Sequence, residues 1–296
     1  MKVNTSYEPY SQETEYIGAN NDFLRSLPLD TVAVNQVLDL ACGTGTLTEL
    51  LFELRPNISV LGMDISTESL EIGRKVFRQK NLLVDDRTAL AAAQKSGKAS
   101  VVLIEGRADE LDLEPEGFDL VMMGNAIHLM PDRDKFLQGV NQVLRHGGLF
   151  AFNSAFFVGT FAEGTEHVYT EWLKEALAVL DSKNEELRKA NQPTIPRQRG
   201  KGGRAFSKKW MTPEQWGELL EKNGFEVVQT YKRTVMMTQR SFETVGAYSG
   251  LAEVLMSGYP VEIASECLQE AAGRAFRNLD ITEIPRYWLE ITTQKQ

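Results

Sequence analysis

The sequence predicts an α/β fold: a doubly wound, mostly parallel seven-stranded sheet with helical insertions. Three observations predict it. From residue 36 to 153, short apolar runs alternate with helix-period stretches, the pattern of successive strand–helix–strand units. The first run ends in a glycine turn that opens a helix. An acid closes the second run, Asp64, at about the ~20-residue distance from the turn that nucleotide-binding sheets use.

Composition sets limits on what the fold serves. A chain of 296 residues with 42% hydrophobic content buries a sizeable core, as one enlarged domain or as a domain with a cap. The net charge of −9 argues against a nucleic-acid partner, whose phosphates it would repel. Two cysteines, Cys42 and Cys267, make no disulfide framework and suit a reducing, cytoplasmic compartment. The three histidines, His128, His146 and His167, lack metal-ligand spacing, and neither cysteine belongs to a Cys-x-x-Cys pair, so no metal site is expected. The polar, acidic start does not read as a signal peptide, and no apolar run is long enough to span a membrane.

Taken in order, residues 1–35 form a polar tail bearing Tyr7, Tyr10 and Tyr16, then a short amphipathic helix with Phe23, Leu24 and Leu27 before Pro28. Gln36–Leu40 is a buried strand, and Leu47, Leu50, Leu51 and Leu54 mark one face of the helix after the turn. Between them Gly43 and Gly45 allow tight turning and leave the main chain open to a ligand. Residues 58–64 form the second strand. The Asp64 carboxylate can accept from two neighbouring ribose hydroxyls; a helix N-cap is the plain alternative, although Ser66 and Thr67 already supply that cap.

A helix follows over 67–80, and the sequence supports another over 82–98, alanine-rich at its centre. Ser100–Glu105 and Phe118–Gly124 are strands, residues 132–144 a helix, His146-Gly147-Gly148 its cap, and 149–153 the fifth strand. Next comes a cap region, 156–209, with a helix over 167–187 and a loop gathering six positive charges: Arg197, Arg199, Lys201, Arg204, Lys208 and Lys209. Thr212 as N-cap, Pro213 at the first helical position and Gly224 as terminator frame a core helix. Phe225–Thr238 is a long strand, helices span 247–256 and 261–277, and 287–292 is the last strand, closing the sheet antiparallel.

Two nucleotide-loop readings compete at the turn. A dinucleotide fingerprint needs a third glycine where Thr48 stands, and a P-loop needs a lysine that is absent. The string Leu38-Asp39-Leu40-Ala41-Cys42-Gly43-Thr44-Gly45 instead resembles motif I of class I S-adenosylmethionine-dependent methyltransferases, proteins of Rossmann-like fold. The resemblance covers residues 36–154 and 205–238, including the Gly147-Gly148 turn before a strand. It implies S-adenosylmethionine as cofactor and S-adenosylhomocysteine as product. Asp39 would support the loop around the cofactor's methionine end, with Ala41, Gly43 and Gly45 beside it. Asp64 and Ile65 would meet the ribose side, and Ala108 and Asp109 the adenine, whose amino group needs an acceptor. Asn125 and Ala126 complete the implied cofactor set. The tyrosine-bearing tail would be a flap over the cofactor, with Tyr10 or Tyr16 near the methyl group.

Methyl transfer from a sulfonium is an in-line displacement, so the protein mainly positions the acceptor and removes its proton. His128 follows the fourth strand at the ligand edge, and a histidine pKa near ~6.5 suits a base there; packing is the plain alternative. His146 reads as a helix cap, and His167 as either a substrate contact or an exposed residue. The basic loop is either a solvated surface loop or a clamp on a carboxylate or phosphate, with Arg197 and Arg204 as donors. The Asn-Pro-Pro-Tyr type motif of amino methyltransferases is absent at Gly124-Asn125-Ala126-Ile127, as is the Pro-Cys pair of cytosine methyltransferases. The chain therefore resembles the small-molecule branch, with an O-, C- or N-acceptor that would be anionic if the loop is a clamp.

The expected organisation is an N-terminal flap and helix at 1–35, a cofactor-binding core at 36–155 and a lid insertion at 156–209. A core helix and strand at 210–239, a second insertion at 240–282 and a final strand at 283–296 complete it. The competing readings are a nicotinamide-dependent oxidoreductase and a non-catalytic protein that binds adenosylmethionine for regulation.

Overall fold

The computed structural model describes residues 8–197 and 210–296. In chain order the elements are α1 (Glu8–Ser11), α2 (Thr14–Ser26), β1 (Gln36–Leu40), α3 (Thr46–Leu54), β2 (Ser59–Asp64), α4 (Thr67–Gln79) and α5 (Arg87–Lys95). There follow β3 (Ser100–Glu105), β4 (Phe118–Gly124), α6 (Arg133–Val143), β5 (Leu144–Ser154) and α7 (Glu166–Lys189). After the undescribed stretch come α8 (Pro213–Lys222), β6 (Phe225–Thr238), α9 (Gln239–Ala247), α10 (Ser249–Leu255), α11 (Val261–Leu279) and β7 (Glu283–Lys295).

The seven strands form one sheet in the order β3-β2-β1-β4-β5-β7-β6. Strands β1 to β5 pair in parallel, with Leu38 opposite Leu61 and Val121, and β7 runs antiparallel to β5, with Phe152 opposite Ile291. The order reverses between β1 and β4, which leaves a crevice at their carboxyl ends, where open α/β sheets take their ligands. At the opposite end, buried Asp119 accepts the Asn35 and Gln36 main-chain N–H groups at 2.8 Å each and pairs with Arg145, fixing β1 against β4.

The chain divides into two compact units. The α/β unit comprises residues 17–160, 210–233 and 288–296. Residues alternate across its sheet. Leu120, Met122, Leu149 and Ala151 belong to a core with Phe23, Leu51 and Phe77. Phe150 and Phe152 turn the other way and meet Phe136, Phe225 and Trp216 at ring distances of 5.2 to 6.1 Å. The helical unit comprises residues 1–16, 161–209 and 234–287. In it α11 presents buried Ala264, Ala271, Ala272 and Ala275, small residues that let α7 and α9 approach closely. The Trp172 indole N–H donates to the Leu268 carbonyl at 2.8 Å, and Phe242 packs on Tyr169, Trp172 and Phe276.

Several local expectations need correction. Residues 82–86 are not helical: Leu83 bridges to Val101, and Asp86 caps the shorter α5 by accepting the Ala89 N–H at 2.7 Å. Cap chemistry and an edge bridge win there over alanine's helix propensity. His146 caps no helix, because α6 ends at Val143 and the strand begins at Leu144. The β4–β5 register jumps from Phe118↔Leu144 to Leu120↔Leu149, so exposed His146 lies in a bulge. The helix α9 was not read from sequence: its buried residues include the polar or small Ser241, Thr244 and Gly246 beside Phe242 and Val245, so few large apolar residues mark it. The N-terminal stretch holds two helices, not one. No helix among the described residues is long and apolar enough to cross a membrane.

Candidate functional site

The glycine turn sits at the carboxyl end of β1. Asp39 is almost completely buried there, and its Oδ2 accepts the Thr48 hydroxyl at 2.6 Å. Its Oδ1 has no hydrogen-bond partner among the described residues. Burial, with a smaller push from the Asp64 charge, raises the Asp39 carboxyl to about 7 against the opposing Thr48 hydrogen bond. A buried carboxylate oxygen without a donor costs free energy unless a cation or a donor arrives.

Ala41, Gly43 and Gly45 take the left-handed region, with φ of 54°, 56° and 88°. At Gly43 an added Cβ would meet nothing within 4 Å, so the backbone borders open space. At Gly45 it would lie 2.4 Å from the Phe77 ring, so the helix α4 packs directly on the turn. Gly73 on α4 serves the same approach, since a Cβ there would stand 2.7 Å from the Thr44 carbonyl. Helix α3 then starts at Thr46 with no side-chain cap, which aims its first N–H groups outward as donors.

Asp64 ties the second strand end to this turn. Its Oδ2 accepts the Gly43 N–H and its Oδ1 the Ser66 N–H, each at 2.8 Å. The α4 cap is Ser66, which accepts from the Ser69 N–H at 3.2 Å, so Asp64 is not spent on capping. Ile65 beside it is 68% exposed, an apolar side chain offered to solvent at a strand end. After β3, Ala108 is buried, and Asp109 is held by Arg107 at 2.8 Å with its side chain 14% exposed.

The β4 end is built from amides. The Asn125 backbone is left-handed at φ 48°, and its N–H is shared between the Asn153 carbonyl at 3.1 Å and Asn153 Oδ1 at 2.9 Å. Asn125 Oδ1 accepts the Ala155 N–H at 2.8 Å, and Asn153 Nδ2 donates to Asn20 Oδ1 at 2.9 Å. All three asparagines are buried, as is Ala126. His128 lies in a 3₁₀ turn, Ile127–Leu129, with Nδ1 3.4 Å from Ser154 Oγ and its ring 4.0 Å from Phe156. Phe156 in turn meets Trp210 at 6.0 Å.

The α/β unit thus gathers Asp39, Ala41, Gly43, Gly45, Asp64 and Ile65 around β1 and β2. It also carries Ala108, Asp109, Asn125, Ala126 and His128 on the strand ends beside them. Four other candidates lie in the helical unit. Tyr10 and Tyr16 are buried and pack edge to face at 5.3 Å, and the Tyr10 hydroxyl faces Met237 Sδ at 3.6 Å. Burial raises the Tyr10 phenol far above its ordinary value, so it stays protonated. His167 is exposed on the first turn of α7, and exposed Arg197 lies 5.9 Å from the Tyr259 ring centre. Arg204 and most of the basic loop lie outside the described residues. Among the described residues no cluster of His, Cys, Asp or Glu is arranged to hold a metal.

Sequence reasoning missed Thr48 as the partner of Asp39, Gly73 as the close-approach residue, and the Asn20–Asn153 pair. Thr48 carried a usable signal: a polar residue on the buried face of an otherwise leucine-rich helix.

Comparison with known proteins bears on the family and the fold. A family model described as a methyltransferase domain matches residues 33–224. Demethylmenaquinone methyltransferases are similar over part of the chain: that of Lactobacillus johnsonii is 30% identical over 112 residues, covering 38% of this chain and 40% of the relative. That of Staphylococcus aureus is 32% identical over 115 residues, with the same two shares. The chain therefore spans about 40% of the length of these curated relatives. Among solved structures, a candidate sarcosine dimethylglycine methyltransferase from Galdieria sulphuraria superposes with a TM-score of 0.52 at 14% identity, over 99% of this chain and 92% of that one. The [4+2]-cyclase SpnF superposes with a TM-score of 0.52 at 15% identity, over 95% and 81%. At these identities the structural likeness establishes the shared fold.

Proposed function

The chain belongs to the methyltransferase-domain family, and from that premise we propose that it transfers the methyl group of S-adenosylmethionine to a small-molecule acceptor. The observation that carries the reading is the glycine turn. A left-handed Gly43 borders open space, and a buried Asp39 keeps one oxygen without a donor. An acidic, turn-lined cradle of this kind fits a ligand with a cationic amino-acid end. The bound cofactor would supply an activated methyl group on a sulfonium.

The chain's own residues would do the rest. Asp39 and the α3 N-terminus hold opposite charges at the methionine end, a carboxylate for the ammonium and main-chain N–H groups for the carboxylate. Asp64 is already oriented by the Gly43 and Ser66 N–H groups, and its remaining lone pairs accept from ribose hydroxyls. Ile65 and Ala108 give the adenine apolar faces, and Asp109 accepts from its amino group. Asn125 and Ala126 form the floor beside the methyl. His128, whose Nδ1 lies 3.4 Å from Ser154 Oγ, is the residue that would take a proton from the acceptor. Tyr10, kept neutral by burial and donating to Met237 Sδ, does not serve as a base.

The small-molecule acceptor is supported by the absent amino-methyltransferase motif and by relatives named for demethylmenaquinone. The fold alone does not choose a reaction, since a cyclase shares it. A nicotinamide cofactor is disfavoured because the third glycine position is Thr48, whose hydroxyl is committed to Asp39. Calorimetry with S-adenosylhomocysteine tests the proposal. The chain should bind it, and Asp64→Ala should bind about 10- to 100-fold more weakly, the worth of hydrogen bonds to a charged group. Binding of a nicotinamide dinucleotide in its place would overturn the reading.

A further inference from the structure

Helix α2 carries a polar residue on its apolar stripe. Phe23, Leu24 and Leu27 turn into the core of the α/β unit, and Asn20, one turn before Phe23 and Leu24, is buried with them at 1% exposure. A Cβ added at Gly124 would lie 3.9 Å from Asn20 Oδ1, so this side chain reaches the carboxyl end of β4. A buried amide in such a place costs free energy unless it is hydrogen-bonded.

Its partner is Asn153 on β5, which is completely buried. Asn153 Nδ2 donates to Asn20 Oδ1 at 2.9 Å, and Asn153 Oδ1 accepts the Asn125 N–H at 2.9 Å. The two ends of a side-chain amide differ in kind: the nitrogen donates and the oxygen accepts. An acceptor at Asn20 therefore fixes which end of Asn153 faces it, and leaves the oxygen for Asn125. With the Asn153 amide turned over, its Nδ2 would confront the Asn125 N–H, donor against donor. Asn125 needs that hold, because its backbone sits at φ 48°, in the left-handed region that L-residues seldom adopt. Its Oδ1 also accepts the Ala155 N–H at 2.8 Å, so main chain and side chain alike are tied to the end of β5. A separate contact anchors the same helix: Arg233 Nη1 donates to Asp22 Oδ2 at 3.3 Å while the same guanidinium pairs with Glu290.

We propose that Asn20 is a positioning residue for the cofactor, acting through the Asn153 amide to hold the main chain at Asn125 and Ala126. Its cofactor role rests on the methyltransferase reading, in which those two residues border the transferred methyl; the hydrogen-bond chain does not. Asn20 itself touches no reacting atom. It sets the polarity of an amide that in turn sets a strained backbone.

The experiment compares the full chain with Asn20→Leu, Asn20→Asp and Asp22→Ala. Two quantities are read: calorimetric affinity for S-adenosylhomocysteine, and hydrogen exchange of the Asn125 amide without ligand. Asn20→Leu removes the acceptor at similar volume. It should weaken binding about tenfold and speed Asn125 exchange by a similar factor, the worth of one buried hydrogen bond. Asn20→Asp keeps an acceptor oxygen, with its carboxyl held protonated by burial, and should return both readings to within about twofold of the parent. Asp22→Ala loosens the other anchor of α2 and should leave both at parent values. If leucine at position 20 does not fold, Asn20→Ala removes the same acceptor and takes its place. Parent-like affinity and exchange in Asn20→Leu, equal losses in Asn20→Asp and Asn20→Leu, or the same losses in Asp22→Ala would each overturn the proposal. Failure of the parent chain to bind S-adenosylhomocysteine would sink the methyltransferase reading and the cofactor role with it, while Asn125 exchange would still decide whether the amide chain holds that backbone.

Discussion

The α/β unit meets its ligand edge with backbone, and the helical unit is built from side chains. At the glycine turn three consecutive structural decisions are made by main chain: left-handed Ala41, Gly43 and Gly45, a Gly43 N–H on Asp64, and an uncapped α3 start. In the helical unit the comparable decisions are ring contacts, the Trp172 indole on Leu268, and the Arg286 guanidinium against the Tyr169 ring. The difference teaches where each unit tolerates change. A backbone-built site is sensitive to any Cβ in the wrong place, whereas a side-chain-built unit is sensitive to loss of individual polar atoms.

Gly45→Ala should break the comparison most severely if it is mistaken. The new Cβ would strain a φ of 88° and overlap the Phe77 ring at 2.4 Å, together about 2–5 kcal/mol of destabilisation. Urea denaturation should register that loss, accompanied by loss of S-adenosylhomocysteine binding. A melting temperature equal to the parent's would mean that the α4 approach does not constrain the turn.

Next in size is the pH dependence set by Asp39. Burial raises its folded pKa to about 7, above the ordinary carboxylate value of 3.8. Between those values the native state holds a proton that the unfolded chain has released. Stability from this group is therefore greatest at or below about pH 4 and falls as pH rises to about 7, then levels off. Asp39→Asn should flatten the unfolding free energy across that window. An identical pH profile in both chains would show that the orphaned oxygen carries no such cost.

The smallest expected effect lies in the helical unit. Trp172→Phe removes the indole donor to the Leu268 carbonyl, which keeps its place in the α11 ladder, a loss of about 0.5–1.5 kcal/mol. Thermal denaturation should show it with cofactor affinity unchanged. A parallel loss of cofactor affinity would mean that the contrast between the units is drawn too sharply.

The α/β unit was far more legible than the helical one. The bounds of β1, α3, β3, β4 and β6 follow from apolar runs and punctuation, and Thr212 and Pro213 open α8 with a capping box as cap chemistry requires. Asp64 was readable because strand ends and spacing are local facts. Helix α9 was not, since polar and small residues such as Ser241, Thr244 and Gly246 make up much of its buried face. The His146 bulge was missed because register is decided by the neighbouring strand.

By itself the sequence determined the order of strands and helices, the glycine turn and the acids at successive strand ends, because these depend on neighbours a few residues away. Only the tertiary structure decided what the acids and phenols face. Thr48 reaches Asp39 across the turn, Asn20 meets Asn153 over 133 positions, and Tyr10 meets Met237 over 227. No local periodicity encodes such pairs. They arise when folding brings distant polar groups into shared low-dielectric surroundings, where each must find a partner or bear the cost of lacking one.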